Sequence, residues 1–224
     1  MINSKIVVML TNNDKTVKDA IGVFDSSKDL PVQFWGFKNI GLPVEQMKQL
    51  VKNMKDAEKT TFLEVVSYTE DECMKAAKLA VECNFDYLMG TLFYDSVFSF
   101  LKDQPIKYSP FCGKVSGSPS ILEGTIDEII NDAKNMQKKG VDAFDILAYR
   151  YVGDPEELAE KFIQAIDIPI IIAGSINGYE RLDKINELNP WGFTMGTALF
   201  KKNFDKDGTF KDNLRKVIDY LNKK

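Results

Sequence analysis

The sequence predicts an α/β fold, a single (β/α)8 TIM barrel, and three observations predict it. Eight short apolar, β-branched runs recur along the chain. Helical segments or turns separate them. Eight such units in 224 residues leave 224/8 = 28 residues each, near the ~30 that one strand and its crossover helix require. A doubly wound open sheet is the alternative arrangement of the same units. The first run is not followed by a Gly-x-Gly-x-x-Gly turn, and no topological switch is visible. No Pro/Gly/Ser linker is long enough to divide the chain, so residues 1–224 read as one domain.

The runs are Ile6–Leu10, Val32–Phe37, Thr61–Ser67, Asp86–Gly90, Ile106–Phe111, Ala143–Arg150, Ile168–Gly174 and Gly192–Gly196. Each is short and largely apolar, as a strand covered on both faces should be. Between them, Val44–Ala57 places Met47, Leu50, Val51 and Met54 at helical spacing. Asp71–Val81 does the same with Cys73, Met74, Ala76, Ala77 and Ala80. Thr125–Lys139 opens on Thr125-x-x-Glu128, a capping box, and ends at Gly140, as a C-terminal glycine should. Pro155–Ala165, Tyr179–Leu188 and Phe210–Leu221 are further predicted helices.

Composition narrows the chemistry. The net charge of −4 argues against a nucleic-acid partner, which needs a clustered basic face. No apolar run reaches the ~18 residues of a membrane span, and MINSKIVVML lacks the features of a signal peptide. Cys73, Cys83 and Cys112 are an odd number at no zinc-like spacing, which suits a reducing, cytoplasmic setting. The chain has no histidine, so Ser-His-Asp triads, Cys-His pairs and histidine-containing metal sites are excluded. No cofactor or metal is expected. Chemistry falls to Lys, Asp, Glu, Tyr, Cys, Arg or backbone amides. The state of assembly, a homo-oligomer included, is left open.

In such a barrel the site lies at the C-terminal ends of the strands. The residues there are Asn12, Asn13 and Asp14, then Lys38, Glu64, Ser67, Thr91, Lys114, Tyr149 and Arg150, and finally Gly174, Ser175, Gly196 and Thr197. The most specific signal is IIIAGSINGYERL followed by FTMGTALF. Gly174-Ser175 and Gly196-Thr197 each sit at a strand-to-helix turn, and the second opens a short helical turn, Thr197–Lys201. Glycines let the backbone approach an anion, and helix-initial N–H groups point at it. Ser175 and Thr197 add hydroxyls. The bland reading is two tight turns.

Five charged residues are candidates. Lys38 follows the aromatic run FWGF and is read as an anion-binding or proton-carrying group, or as a surface lysine. Lys114 follows the fifth run in a glycine-rich turn and is read as an imine-forming lysine or a plain loop residue. Glu64 lies between Leu63 and Val65, and a carboxylate in a buried strand needs a partner. Asp145, in FDIL, is read the same way, or as a structural partner of an interior lysine. Arg150 ends the sixth run, where a guanidinium can fork onto a phosphate or carboxylate. Cys112 reads as a packing residue, and Val115–Gly124 as a loop that closes over a ligand.

IIIAGSI followed one unit later by TMGTALF resembles the phosphate-binding end of the ribulose-phosphate-binding barrel superfamily. That group includes histidine- and tryptophan-pathway isomerases, sugar-phosphate epimerases and decarboxylases. GTALFKKNF is similar to the eighth-strand turn of the histidine-pathway isomerase. The first strand, VVMLTNND, departs from that isomerase's aspartate motif. The segment Phe62–Val97 resembles the barrel of quinolinate phosphoribosyltransferases, which implies a site carboxylate at Glu64. The glycerol-phosphate-responsive antiterminator is similar in size and layout. The expectation is a barrel binding a small phosphorylated metabolite, with lyase or isomerase chemistry beside a carbonyl. Glu64 or Asp145 would move the proton, and Lys114 or Lys38 would stabilise an enolate or form an imine. Arg150, Gly174, Ser175, Gly196 and Thr197 would hold the substrate. A non-catalytic ligand sensor and a phosphoribosyltransferase relative are the alternatives.

Overall fold

Eight parallel strands form one sheet in the computed structural model, which describes residues 4–117 and 119–223. They are β1 (Lys5–Met9), β2 (Phe34–Lys38), β3 (Thr60–Ser67), β4 (Tyr87–Thr91), β5 (Lys107–Ser109), β6 (Phe144–Ile146), β7 (Ile170–Ile172) and β8 (Gly192–Met195). The order across the sheet is β6-β7-β8-β1-β2-β3-β4-β5. The ends meet through a parallel bridge between Phe111 and Asp145. There the Asp145 amide donates to the Pro110 carbonyl at 3.1 Å and the Asp142 amide to that of Tyr108 at 3.0 Å. The fold is a single (β/α)8 barrel.

Strand alternation sorts the side chains into two layers. Val7, Met9, Phe62, Tyr87, Met89 and Ile171 fill the barrel interior, with Phe34 and Trp191 packed on them. Phe62 and Tyr87 stack at 4.3 Å between ring centroids, and Phe34 meets Trp191 edge-on at 5.3 Å. The alternate residues, Val8, Trp35, Phe37, Leu63, Leu88, Phe144, Ile170 and Ile172 among them, belong to the outer core beneath the helices. Both faces are covered, which is why these segments read as continuous apolar runs.

The helices are α1 (Ala20–Ser27), α2 (Val44–Asp56), α3 (Glu70–Glu82), α4 (Asp95–Leu101), α5 (Ile126–Lys139), α6 (Pro155–Ala165), α7 (Tyr179–Leu188), the short α8 (Thr197–Phe200) and α9 (Phe210–Asn222). The capping box at Thr125 and Glu128 forms, and Gly140 ends α5 at φ 102°. Asp154 caps α6 by accepting from the Glu156 and Glu157 amides. No described helix is long and apolar enough to cross a membrane.

Most strand ends shift by a residue or two from the sequence reading, and three differences bear on the site. β5 stops at Ser109 because Pro110 has no N–H for the ladder, and Phe111 rejoins the sheet by a single bridge. The sixth run ends as a strand at Ile146, and Ala148–Arg150 form a 3-10 turn. The segment expected as a loop over the ligand is an antiparallel hairpin, Lys114–Ser116 against Ile121–Glu123. A second hairpin, Thr11–Asn12 against Lys15–Thr16, follows β1. Its two turn residues, Asn13 and Asp14, have φ of 49° and 60°, a left-handed pair that Asn and Asp tolerate well.

Candidate functional site

The C-terminal ends of the strands enclose a cavity of about 290 Å³. One part of its wall is made by the turns after β7 and β8. Gly174 at φ 87° and Ser175 at φ 51° reverse the chain so that residues 174–177 line the cavity. Gly196 precedes α8, and Thr197 and Ala198 line the cavity too. As the first residues of a helix their amides lie outside the intrahelical ladder. The Asn203 side-chain amide donates to the Asn177 carbonyl at 2.8 Å and ties the two turns together. A Cβ at position 196 would lie 2.8 Å from the Met9 carbonyl oxygen and 2.9 Å from that of Thr11. Only glycine lets this turn approach β1.

The charged part of the wall comes from the hairpin after β1, from β2 and β3, and from the turn after β6. Lys38 is 7 % exposed. Its amide donates to Thr16 Oγ1 at 2.9 Å, and that hydroxyl donates back to the Lys38 carbonyl at 2.7 Å. Its Nζ lies 3.0 Å from Asp14 Oδ1 and 3.4 Å from Glu64 Oε1. Burial works against the ammonium, but the carboxylates of Glu64 and Asp14 outweigh it and hold the lysine above its ordinary range. Arg150 NH2 stands 3.7 Å from the same Asp14 oxygen. Burial pushes the Asp14 carboxyl up, and Lys38 and Arg150 together bring it below the ordinary carboxylate range. The Arg150 stem crosses Gly174. A Cβ there would lie 3.0 Å from Arg150 Cγ.

Asp145 is fully buried, and neither carboxylate oxygen has a hydrogen-bond partner among the described residues. Burial, with the Glu64 carboxylate adding to it, pushes its pKa well up, against the opposing pull of Lys38 and Arg150. The structure thus brings Lys38, Glu64, Arg150, Gly174, Ser175, Gly196 and Thr197 to one cavity and sets Asp145 within electrostatic reach of it, off the wall. Lys114 is not among the residues that line this cavity. The alternation of its hairpin turns Val115 inward and leaves Lys114 and Ser116 exposed. It lies close enough to Glu128 to lower that carboxyl, after the backbone and hydroxyl of Thr125. Cys112 is buried, and burial pushes its thiol up, as a packing residue requires.

Sequence reasoning places Asp14 among the strand-end residues without giving it a role. Its side chain nevertheless bridges the two cations. The signal was the polar turn TNNDKT, whose tight hairpin folds Asp14 back over the mouth. Lys201, Asn203 and Ser120 also line the cavity, and nothing in their local sequence marks them. Tyr68 fixes Ser120 by a 2.7 Å hydroxyl contact.

No protein-family model and no curated protein matches the chain. Solved structures do. The N-acetylmannosamine-6-phosphate 2-epimerase from Clostridium perfringens superposes with a TM-score of 0.64 at 14% identity, covering 96% of this chain and 92% of that one. Orotidine 5'-phosphate decarboxylase from Pyrococcus horikoshii OT3 gives a TM-score of 0.72 at 12% identity over 97% of this chain and 99% of its own. A glycerol uptake operon antiterminator regulatory protein from Listeria monocytogenes gives 0.59 at 16% identity, over 87% and 92%. At these identities the likeness establishes the barrel and nothing narrower.

Proposed function

We propose that this protein binds a small phosphorylated metabolite at the barrel mouth and moves a proton at a carbon beside a carbonyl, as an isomerase or lyase. One observation carries the reading. The glycine turns after β7 and β8 share a single cavity with Lys38 and Glu64, and β7 and β3 lie four strands apart in the order, on opposite sides of the ring. A ligand with its phosphate on the 174–177 and 196–198 backbone extends toward the charged side. The phosphorylated compounds named for two of the barrels of like fold and the resemblance to ribulose-phosphate-binding barrels support the same end for the phosphate.

The roles follow from charge. Lys38, held as an ammonium by Glu64 and Asp14, binds the carbonyl oxygen and stabilises the enolate that forms. An ammonium has no free electron pair, which disfavours the imine route at this residue. Glu64 takes the C–H proton as its carboxylate and returns it to the enolate. The likeness to quinolinate phosphoribosyltransferases rests on Phe62–Val97 alone, and within that segment Thr91 is spent on a 2.8 Å hydroxyl contact with Tyr108.

The test is a thermal-shift screen of phosphorylated aldoses, ketoses and keto acids, followed by NMR of solvent deuterium entering the carbon beside the carbonyl. Lys38→Met and Glu64→Gln should slow that exchange at least ~10²-fold and leave binding of the phosphate end intact. Exchange that survives in both variants, or no binding of any phosphorylated carbonyl compound, overturns the proposal. Binding without exchange in the unaltered protein favours a ligand sensor, the second reading, which the antiterminator of like fold supports.

A further inference from the structure

Asp14 bridges two cations at the edge of the cavity. Asp14 Oδ1 lies 3.0 Å from Lys38 Nζ and 3.7 Å from Arg150 NH2, and the Asp14 side chain makes no other hydrogen bond or ion pair among the described residues. It stands at the tip of a two-residue turn, 46% exposed, with φ of 60°. Lys38 by contrast is fixed. It is 93% buried by its 7 % exposure, and its backbone is clamped to Thr16. Arg150 is braced across Gly174. Lys38 is the buried member of the trio and Asp14 the most exposed.

Two cations, Lys38 and Arg150, face two carboxylates, Asp14 and Glu64, so the charges balance only while Asp14 stays in place. If Asp14 swings out, Lys38 keeps Glu64 at 3.4 Å, and Arg150 is left with no carboxylate within ion-pair distance among the described residues. A half-buried guanidinium so placed attracts a planar anion that offers two oxygens, and a carboxylate matches that geometry. We propose that Lys38 and Arg150 form a carboxylate subsite, filled in this structure by the protein's own Asp14, so that the ligand carries a carboxylate at one end and a phosphate at the other. This rests on the phosphate reading above and narrows it to phosphorylated sugar acids and keto acids. Asp14 is then a stand-in that the ligand's carboxylate displaces. The Asn13 amide, 3.3 Å from Thr197 Oγ1, ties the same turn to the phosphate end.

Calorimetric titration with two probes of one three-carbon frame tests this. Glycerol phosphate carries the phosphate and a terminal hydroxyl; phosphoglycerate carries a carboxylate in place of that hydroxymethyl group. Phosphoglycerate should bind the unaltered protein more tightly. Asp14→Gly, which suits the left-handed turn, and Asp14→Asn, which keeps the side chain's shape, should both widen that preference by on the order of tenfold, the scale of a charge-assisted hydrogen bond. Affinity for glycerol phosphate should change little. Lys38→Met should abolish the preference. Equal affinities for the two probes, or a preference that shrinks in both Asp14 variants, overturns the subsite while glycerol phosphate binding leaves the phosphate reading standing. If neither probe binds any variant, both fall together.

Discussion

Asp145 sits on β6 with both carboxylate oxygens unbonded, and burial together with Glu64 keeps it neutral well above the usual carboxylate range. In the unfolded chain the same group ionises near pH 4. Between those two values the folded state binds the extra proton, so stability falls as pH rises. Asp145→Asn cannot ionise. Its stability relative to the parent should therefore be flat below about pH 4 and improve toward neutrality, by at most about 1.4 kcal/mol per pH unit. Urea unfolding at stepped pH measures this. Parallel stability curves from acid to neutral pH would show that Asp145 is not held neutral. The sequence flagged Asp145 because a carboxylate inside an apolar run is costly. It did not reveal that the partner would be absent, since that depends on which strands face each other inside the ring.

At the scale of elements, the turn after β8 joins stability to the site. Gly196 has a negative φ, −140°, outside the left-handed region, so what it requires is space. A Cβ would strike the carbonyls of Met9 and Thr11, which are backbone and cannot rotate away. Gly196→Ala should destabilise the fold by about 1–3 kcal/mol through overpacking and weaken phosphate binding by displacing the Thr197 and Ala198 amides. Denaturant unfolding and inorganic phosphate titration measure the two effects. An alanine variant of unchanged stability would show that β1 yields. The GlyThr and GlySer pairs were legible as turns because glycine at a strand-to-helix junction carries a local meaning. The helices α2, α3, α5, α6, α7 and α9 were legible from periodicity and caps. The short α1 and α4 were not, because two turns hold too few apolar repeats to register. The hairpin that carries Lys114 outward was missed for a similar reason. Its three-residue strands are too short to alternate visibly.

For the whole molecule, the ring is strongest where parallel ladders run from β8 through β1 to β4, with one register shift between Glu64 and Ser67. It is weakest between β5 and β6, where Pro110 interrupts the pairing and one bridge remains. Local opening draws on the least bonded part of a fold. Native-state hydrogen exchange should therefore release the amides of Asp142, Ala143 and Asp145 well before those of Val8 and Trp35. Simultaneous exchange of both groups would show that the ring opens only as a unit. The seam carries Asp145 and Arg150 near its upper end, so looseness there bears directly on the charged side of the cavity.

The sequence by itself determined the eightfold alternation of strand and helix, the helix caps, the glycine turns after β7 and β8, and the exclusion of histidine chemistry. Each of these depends on neighbours a few residues apart, where periodicity, capping and glycine conformation act. Tertiary structure alone decided that Asp14, Lys38, Glu64 and Arg150 meet, that Asp145 is left unbonded, and that Lys114 faces away. Those outcomes depend on ring closure and on the direction of two small hairpins. Charges from four crossings of the chain come within a few ångströms only when the sheet bends back on itself, and no local pattern encodes that distance.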